Sequence, residues 1–129
     1  MNNSLELALE EIEYLDANHQ GRWQRLDEGG GEYGLLIEGF AIPAGFNQST
    51  ADLMVLIPLG YPGTSLDMFY IDPPLSKKNG RDIKKISMEE HFARQWQRWS
   101  RHYDWSPGED DLIRHIEYIR NELQVAGEE

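Results

Sequence analysis

Cysteine is missing from all 129 residues. Disulfides, thiolate metal ligands and cysteine nucleophiles are therefore excluded. Positive charge is scarce: 12 Lys and Arg stand against 23 Asp and Glu, for a formal net charge of -11. A surface of that sign repels phosphate backbones and argues against nucleic acid as a partner. Its plain meaning is solubility; if it serves recognition, the partner carries a basic patch. No apolar run approaches the length that crosses a bilayer. The opening stretch MNNSLELALEEIEYL lacks the basic flank and uninterrupted apolar centre of a secretory signal. The expectation is a soluble, cytoplasmic chain with no membrane contact. His19, His91, His102 and His115 show neither HExxH nor His-x-His spacing, so no metal and no cofactor is expected. GGGEYG lacks the lysine and the strand-to-helix setting of a phosphate loop and reads as a hairpin turn.

What is present suits one domain over 1–129, with a core of about residues 4–125. The chain is 40% hydrophobic and holds four Trp, six Tyr and four Phe, enough for a packed interior. Leu5, Leu9 and Ile12 fall on one face of a predicted helix over 5–16, with Ser4 as N-cap and Asn18 as end signal. The period then shortens. Strands are predicted over 23–26, 33–40, 51–59 and 66–71, separated by Gly29–Gly31, by Pro43 and Gly45, and by Pro58, and stopped by Pro73–Pro74. Four short strands with tight turns imply an antiparallel meander. Residues 76–86 (SKKNGRDIKKI) are basic and polar and read as a loop, either solvated or a docking flap. Residues 88–101 read as irregular to helical. Leu112, Ile116, Ile119 and Leu123 repeat at 4, 3 and 4 residues, which predicts a final helix. Asp110 and Asp111 suit its N-terminus, and Gly127 its end. The fold class is α+β in two layers: N-terminal helix, four-stranded antiparallel meander, C-terminal helix.

Two stretches carry a family likeness. LMVLIPLGYPGTSLDMFYIDPPL sets Tyr61–Pro62 between two strands, and WSPGEDDLIRHIEYIRNEL sets Trp105–Ser106–Pro107 at the head of a helix. In that order they resemble the ubiquitin-conjugating enzymes. With WQRWSRH, the chain is similar to their prokaryotic branch, bacterial conjugating-enzyme family E, over about residues 20–125. The resemblance implies a place in a bacterial ubiquitin-like conjugation pathway, with a ubiquitin-like modifier and an activating enzyme as partners. The departures bear on chemistry. The family's His-Pro-Asn follows the fourth strand, where this chain reads Ile71-Asp72-Pro73-Pro74-Leu75. The family's cysteine precedes Trp-Ser-Pro, where this chain reads ARQWQRWSRHYD. Conventional thioester chemistry is therefore not expected, because a serine hydroxyl is protonated at neutral pH and needs a base beside it. Ser100 and His102, with Asp104 beyond, offer nucleophile and base for an oxyester if the segment is a strand; on a helix i and i+2 do not face each other. The plainer reading has His102 hydrogen-bonding within the loop and fixing the tryptophans. Trp96 and Trp99 belong to the core or, with Tyr61, Pro62, Arg98 and Arg101, to a partner-binding surface. The sheet's open face and the loops over 61–65 and 76–86 are the expected contact region. Asp67 and Asp72 do not suit paired-carboxylate hydrolysis, since five residues apart on one strand they point to opposite faces. A protein-binding domain unconnected with ubiquitin is the remaining alternative.

Overall fold

The computed structural model describes residues 7–27 and 31–129. Its elements are α1 (Leu9–His19), β1 (Trp23–Asp27), β2 (Tyr33–Ala41), β3 (Thr50–Ile57), β4 (Phe69–Asp72), β5 (Ile86–His91), β6 (Arg94–Trp99) and α2 (Leu112–Glu128). All strands join one antiparallel sheet in the order β1-β2-β3-β4-β6-β5. The α+β class and the four-strand meander stand as predicted, but among the described residues the sheet has six strands. No helix among the described residues is long and apolar enough to cross a membrane.

The two added strands come from the stretch expected to be irregular or helical. Trp96 and Trp99 are three residues apart, a helical spacing, yet on β6 they point to opposite faces. Trp99 enters the main core and Trp96 a second, smaller one. The hairpin turn carried no Gly or Asn signal: Phe92 and Ala93 both hold positive φ, 57° and 58°. That is the backbone a two-residue hairpin needs and one that glycine or asparagine ordinarily supplies. Phe92 is half-buried and packs against the second core. Its ring lies where a Cβ on Gly34 would be, 2.6 Å from its Cε2, so the absent side chain is what lets the tip fold onto the sheet.

The main core lies between the sheet and the helices. Leu35, Ile37, Leu53, Val55, Phe69, Ile71 and Trp99 meet Leu112, Ile116, Ile119 and Leu123 of α2. Each of these four α2 side chains is fully buried and contributes roughly 1.5–3 kcal/mol. The other face is covered by Leu36, Met54, Tyr70 and Trp96, with Leu26, Leu56 and Phe92 around them. This is why β2 is buried continuously from Tyr33 to Ile37 rather than in alternation. Arg94 closes that face, stacked 4.3 Å from the Trp96 ring centroid and bonded to Asp52 at 2.6 Å and Asp72 at 2.7 Å.

Both helices depart from their predicted details. Ser4 and Leu5 lie outside the described residues. Leu9 is exposed, and α1 buries Glu11, Leu15 and His19 instead. The reason is the Glu11 carboxylate, which is drawn inward by polar partners described below. Asn18 lies within α1, its side chain donating to the Tyr14 carbonyl at 2.9 Å. Asp111 caps α2 as predicted, accepting from the Arg114 amide at 3.0 Å. Gly127 does not end α2 but sits in its last turn. A Cβ there would lie 2.7 Å from the Ala44 carbonyl oxygen, and one on Gly45 2.5 Å from the Gly127 oxygen. The two glycines let the 43–46 loop and the helix end touch backbone to backbone.

Candidate functional site

The Tyr-Pro and Trp-Ser-Pro motifs meet in space. Tyr61 is buried, and its hydroxyl donates to Glu11 Oε2 in a very short hydrogen bond. The Leu112 amide donates to the Tyr61 oxygen at 2.6 Å and to Glu11 Oε2 at 3.0 Å, while Glu11 Oε1 accepts from the Ala8 amide at 2.7 Å. One carboxylate and one phenol thus join the start of α1, the Tyr-Pro turn and an otherwise orphaned amide at the head of α2. Burial, and then the Glu11 hydrogen bond, push the Tyr61 phenol far above its ordinary range. Trp105 Nε1 donates to the Pro62 carbonyl at 2.9 Å, and its ring packs 6.2 Å from Tyr61. These motif residues hold the domain together; Tyr61 in particular is not free to meet a partner.

β6 ends at Trp99, and the chain from Ser100 to Trp105 runs back along α2. The sequence explains the path. Tyr103, Tyr118 and His115 form an aromatic wall, with Tyr103 and Tyr118 centroids 4.2 Å apart. His115 falls on the apolar stripe of α2 and is fully buried. Its Nε2 faces the Met68 carbonyl at 2.9 Å and its Nδ1 the Tyr103 hydroxyl at 3.0 Å. A carbonyl only accepts, so Nε2 carries the proton and Nδ1 accepts from Tyr103. Burial lowers the His115 pKa to about 4. Met68, whose φ of 60° turns its carbonyl toward His115, donates its amide to the Arg101 carbonyl at 3.1 Å. The Tyr118 hydroxyl donates to the His102 carbonyl at 3.2 Å.

This scaffold presents a surface cavity of about 450 Å³ between residues 84–85, residues 100–102 and the outer side of α2. Ser100 and His102 both line it. They do not bond to each other. Ser100 Oγ is turned to the Met68 sulfur at 3.9 Å, a weak contact, and His102 Nδ1 meets Asp67 Oδ1 at 2.8 Å. Asp104, the acid expected from the sequence, is not the one His102 uses, because the strand that would have aligned them has already ended. The His102–Asp67 pair is largely exposed, with side-chain exposures of 66% and 41%. Arg101 is anchored in the cavity wall, 3.2 Å from Glu122 and donating to the Lys84 and Ser100 carbonyls at 3.1 and 3.2 Å. Lys84 and Lys85 add two further cations and Glu122 and Glu129 two carboxylates, so the wall is of mixed charge, with its lysines on one side and its acids on the α2 side.

A family model, that of prokaryotic E2 family E, matches residues 7–126. The chain belongs to prokaryotic E2 family E. No curated protein and no solved structure gives a match.

Set on this E2-family fold, the expected partner-binding residues disperse. Trp96 and Trp99 have no exposed surface; as the anchors of the two cores they are corrected from contact residues to packing residues. Arg98 lies on the second face, ion-paired with Glu89 and 3.1 Å from the Met68 sulfur, and Arg101 lies at the cavity. Pro62 remains exposed in the 61–65 loop. Sequence reasoning missed Asp67, Tyr103, His115 and Tyr118. A histidine at the i+3 position from Leu112 on an apolar stripe was the available signal for His115. Asp67 gave none, since its partner is 35 residues away.

Proposed function

We propose that this cysteine-free E2-family chain acts in a bacterial ubiquitin-like conjugation pathway by binding the activating enzyme, the ubiquitin-like modifier or both, without carrying the modifier itself. The observation that carries this reading is the segment before Trp105-Ser106-Pro107. It has no thiol, its one serine hydroxyl faces a methionine sulfur, and its histidine is tied to Asp67. The cavity, with Lys84 and Lys85 on one wall, and the exposed 62–65 loop support a docking role. In an assay with activating enzyme, ATP and modifier, the chain co-purifies with one or both partners and gains no mass. Failure to bind either partner at high concentration refutes the proposal.

A second reading is favoured by one feature: Ser100 and His102 share the cavity, and Asp67 holds Nδ1 so that Nε2 is left toward solvent. In this reading Ser100 Oγ attacks the modifier's thioester carbonyl on the activating enzyme. His102 Nε2 takes the hydroxyl proton, the enzyme's thiolate leaves, and an oxyester remains. A rotation of the Ser100 side chain away from Met68 is required. An adduct that survives thiol reductant, is cleaved by hydroxide and disappears in Ser100→Ala establishes this route over the first.

A further inference from the structure

β5 is the last strand of the sheet, and among the described residues no strand pairs with its outer edge. Its pairing with β6 fixes which backbone groups are free. In a two-residue hairpin the flanking residues, here His91 and Arg94, form a hydrogen-bonded pair, and such pairs then alternate along the ladder. His91, Glu89, Ser87 and Lys85 therefore direct their amides and carbonyls to β6. The Ser100 amide bonded to the Lys85 carbonyl at 3.0 Å has that parity. Glu90, Met88 and Ile86 direct theirs outward. The side chains are as open as the backbone: Ser87 and Glu90 are exposed, and Met88 is 51% exposed, one of few large apolar side chains on the surface.

The segment over 84–90 reads Lys-Lys-Ile-Ser-Met-Glu-Glu. It is its own charge complement when reversed. Among the described residues Lys84, Lys85 and Glu90 form no ion pair. We propose that β5 is a homodimerisation edge, two copies pairing antiparallel across a twofold axis through Ser87 so that one sheet continues into the next.

The register follows from parity and charge. Outward-facing residues must oppose outward-facing residues, which leaves twofold axes only at whole residues of the strand. An axis through Ser87 sets Ile86 opposite Met88 of the second copy, with hydrogen bonds both ways, and places Ser87 opposite its own equivalent. Lys85 then lies by Glu89 and Lys84 by Glu90. An axis through Met88 would set Glu90 against Ile86 and Lys85 against His91, losing these charge pairs. Lys85, at φ 56°, turns the chain off the regular strand, so the ladder is short and the lysines reach the opposing acids with their flexible stems. Lysines and glutamates on an edge can also serve to keep strands apart, but charges of one sign would do that; here the signs are segregated to opposite ends with the exposed methionine between them. A contact this short belongs with weak, transient interfaces.

Because the chain has no cysteine, a single introduced thiol reports the register. Ser87→Cys sits at a closely spaced, non-hydrogen-bonded pair across the axis, and is expected to form a covalent dimer under mild oxidation, whereas Ser65→Cys on the distant loop is not. In sedimentation velocity the native chain shows a reversible monomer–dimer equilibrium at concentrations on the order of 100 μM. Glu90→Lys, which sets like charges together twice per dimer, weakens it by about tenfold. Mixing Glu90→Lys with a Lys84→Glu/Lys85→Glu chain restores association as a heterodimer. A native chain that stays monomeric throughout, a dimer indifferent to Glu90→Lys, or equal cross-linking from residues 65 and 87 would each overturn the proposal. Glu90 and Ser87 lie outside the cavity, so the Glu90→Lys and Ser87→Cys outcomes are independent of modifier or activating-enzyme binding; the Lys84→Glu/Lys85→Glu chain alters the cavity wall and is read for dimerisation alone.

Discussion

Two carboxylates in this molecule each meet a titratable side chain contributed by a distant segment, and the resemblance ends there. Glu11 and Tyr61 are buried, and every oxygen between them is engaged by a backbone amide or by the other. His102, which lines the cavity, and its partner Asp67 are both largely exposed. In low dielectric a satisfied network is worth keeping and costly to break; in water a single ion pair adds little. The buried pair therefore serves the fold, and the exposed pair is left free for chemistry or contact. The family motif Tyr-Pro falls on the structural side of that division.

Several changes would break or sharpen the contrast. Glu11→Ala strands the Tyr61 hydroxyl and leaves the Ala8 and Leu112 amides with fewer acceptors, and is expected to cost about 3–4 kcal/mol in urea unfolding. Acid tests a second buried group. His115 is neutral in the fold, with its pKa lowered to about 4 from 6.5. Between those values the unfolded chain binds more protons, so stability is full above pH 6.5 and declines as the pH falls toward 4. The loss from this group is about 3 kcal/mol. His19, also lowered by burial, acts in the same direction. A His115→Gln variant, less stable at neutral pH, should show a shallower acid limb in thermal melts from pH 7 to 4. Gly34→Ala, whose new methyl meets the Phe92 ring, is expected to cost about 1–2 kcal/mol and to loosen the hairpin tip, read by hydrogen exchange at 91–94. Asp67→Ala should change stability by less than about 0.5 kcal/mol. A large loss there would place the exposed pair with the buried one and remove the ground for treating it as functional.

The meander was legible because β1 to β4 alternate or run apolar between strong turn residues, and α2 because its stripe is regular and capped by Asp111. The β5–β6 hairpin was not, because its turn is Phe-Ala and its tryptophans are spaced like a helix. Half of the candidate site was visible: Ser100 and His102 lie in sequence where the family's cysteine would be. The acid that meets His102 was hidden, since Asp67 and Asp104 look alike until the chain is folded.

By itself the sequence determined the helix and strand types outside the β5–β6 hairpin, the absence of thiol chemistry, the acidic balance and the family, all of which depend on residue identity and local spacing. Only the tertiary structure decided which face each tryptophan serves, that α1 turns a glutamate inward, and that Asp67 rather than Asp104 meets His102. Those outcomes rest on burial and on pairing between segments far apart in the chain, where the free energy of desolvating a group depends on what packs against it and not on its neighbours in sequence.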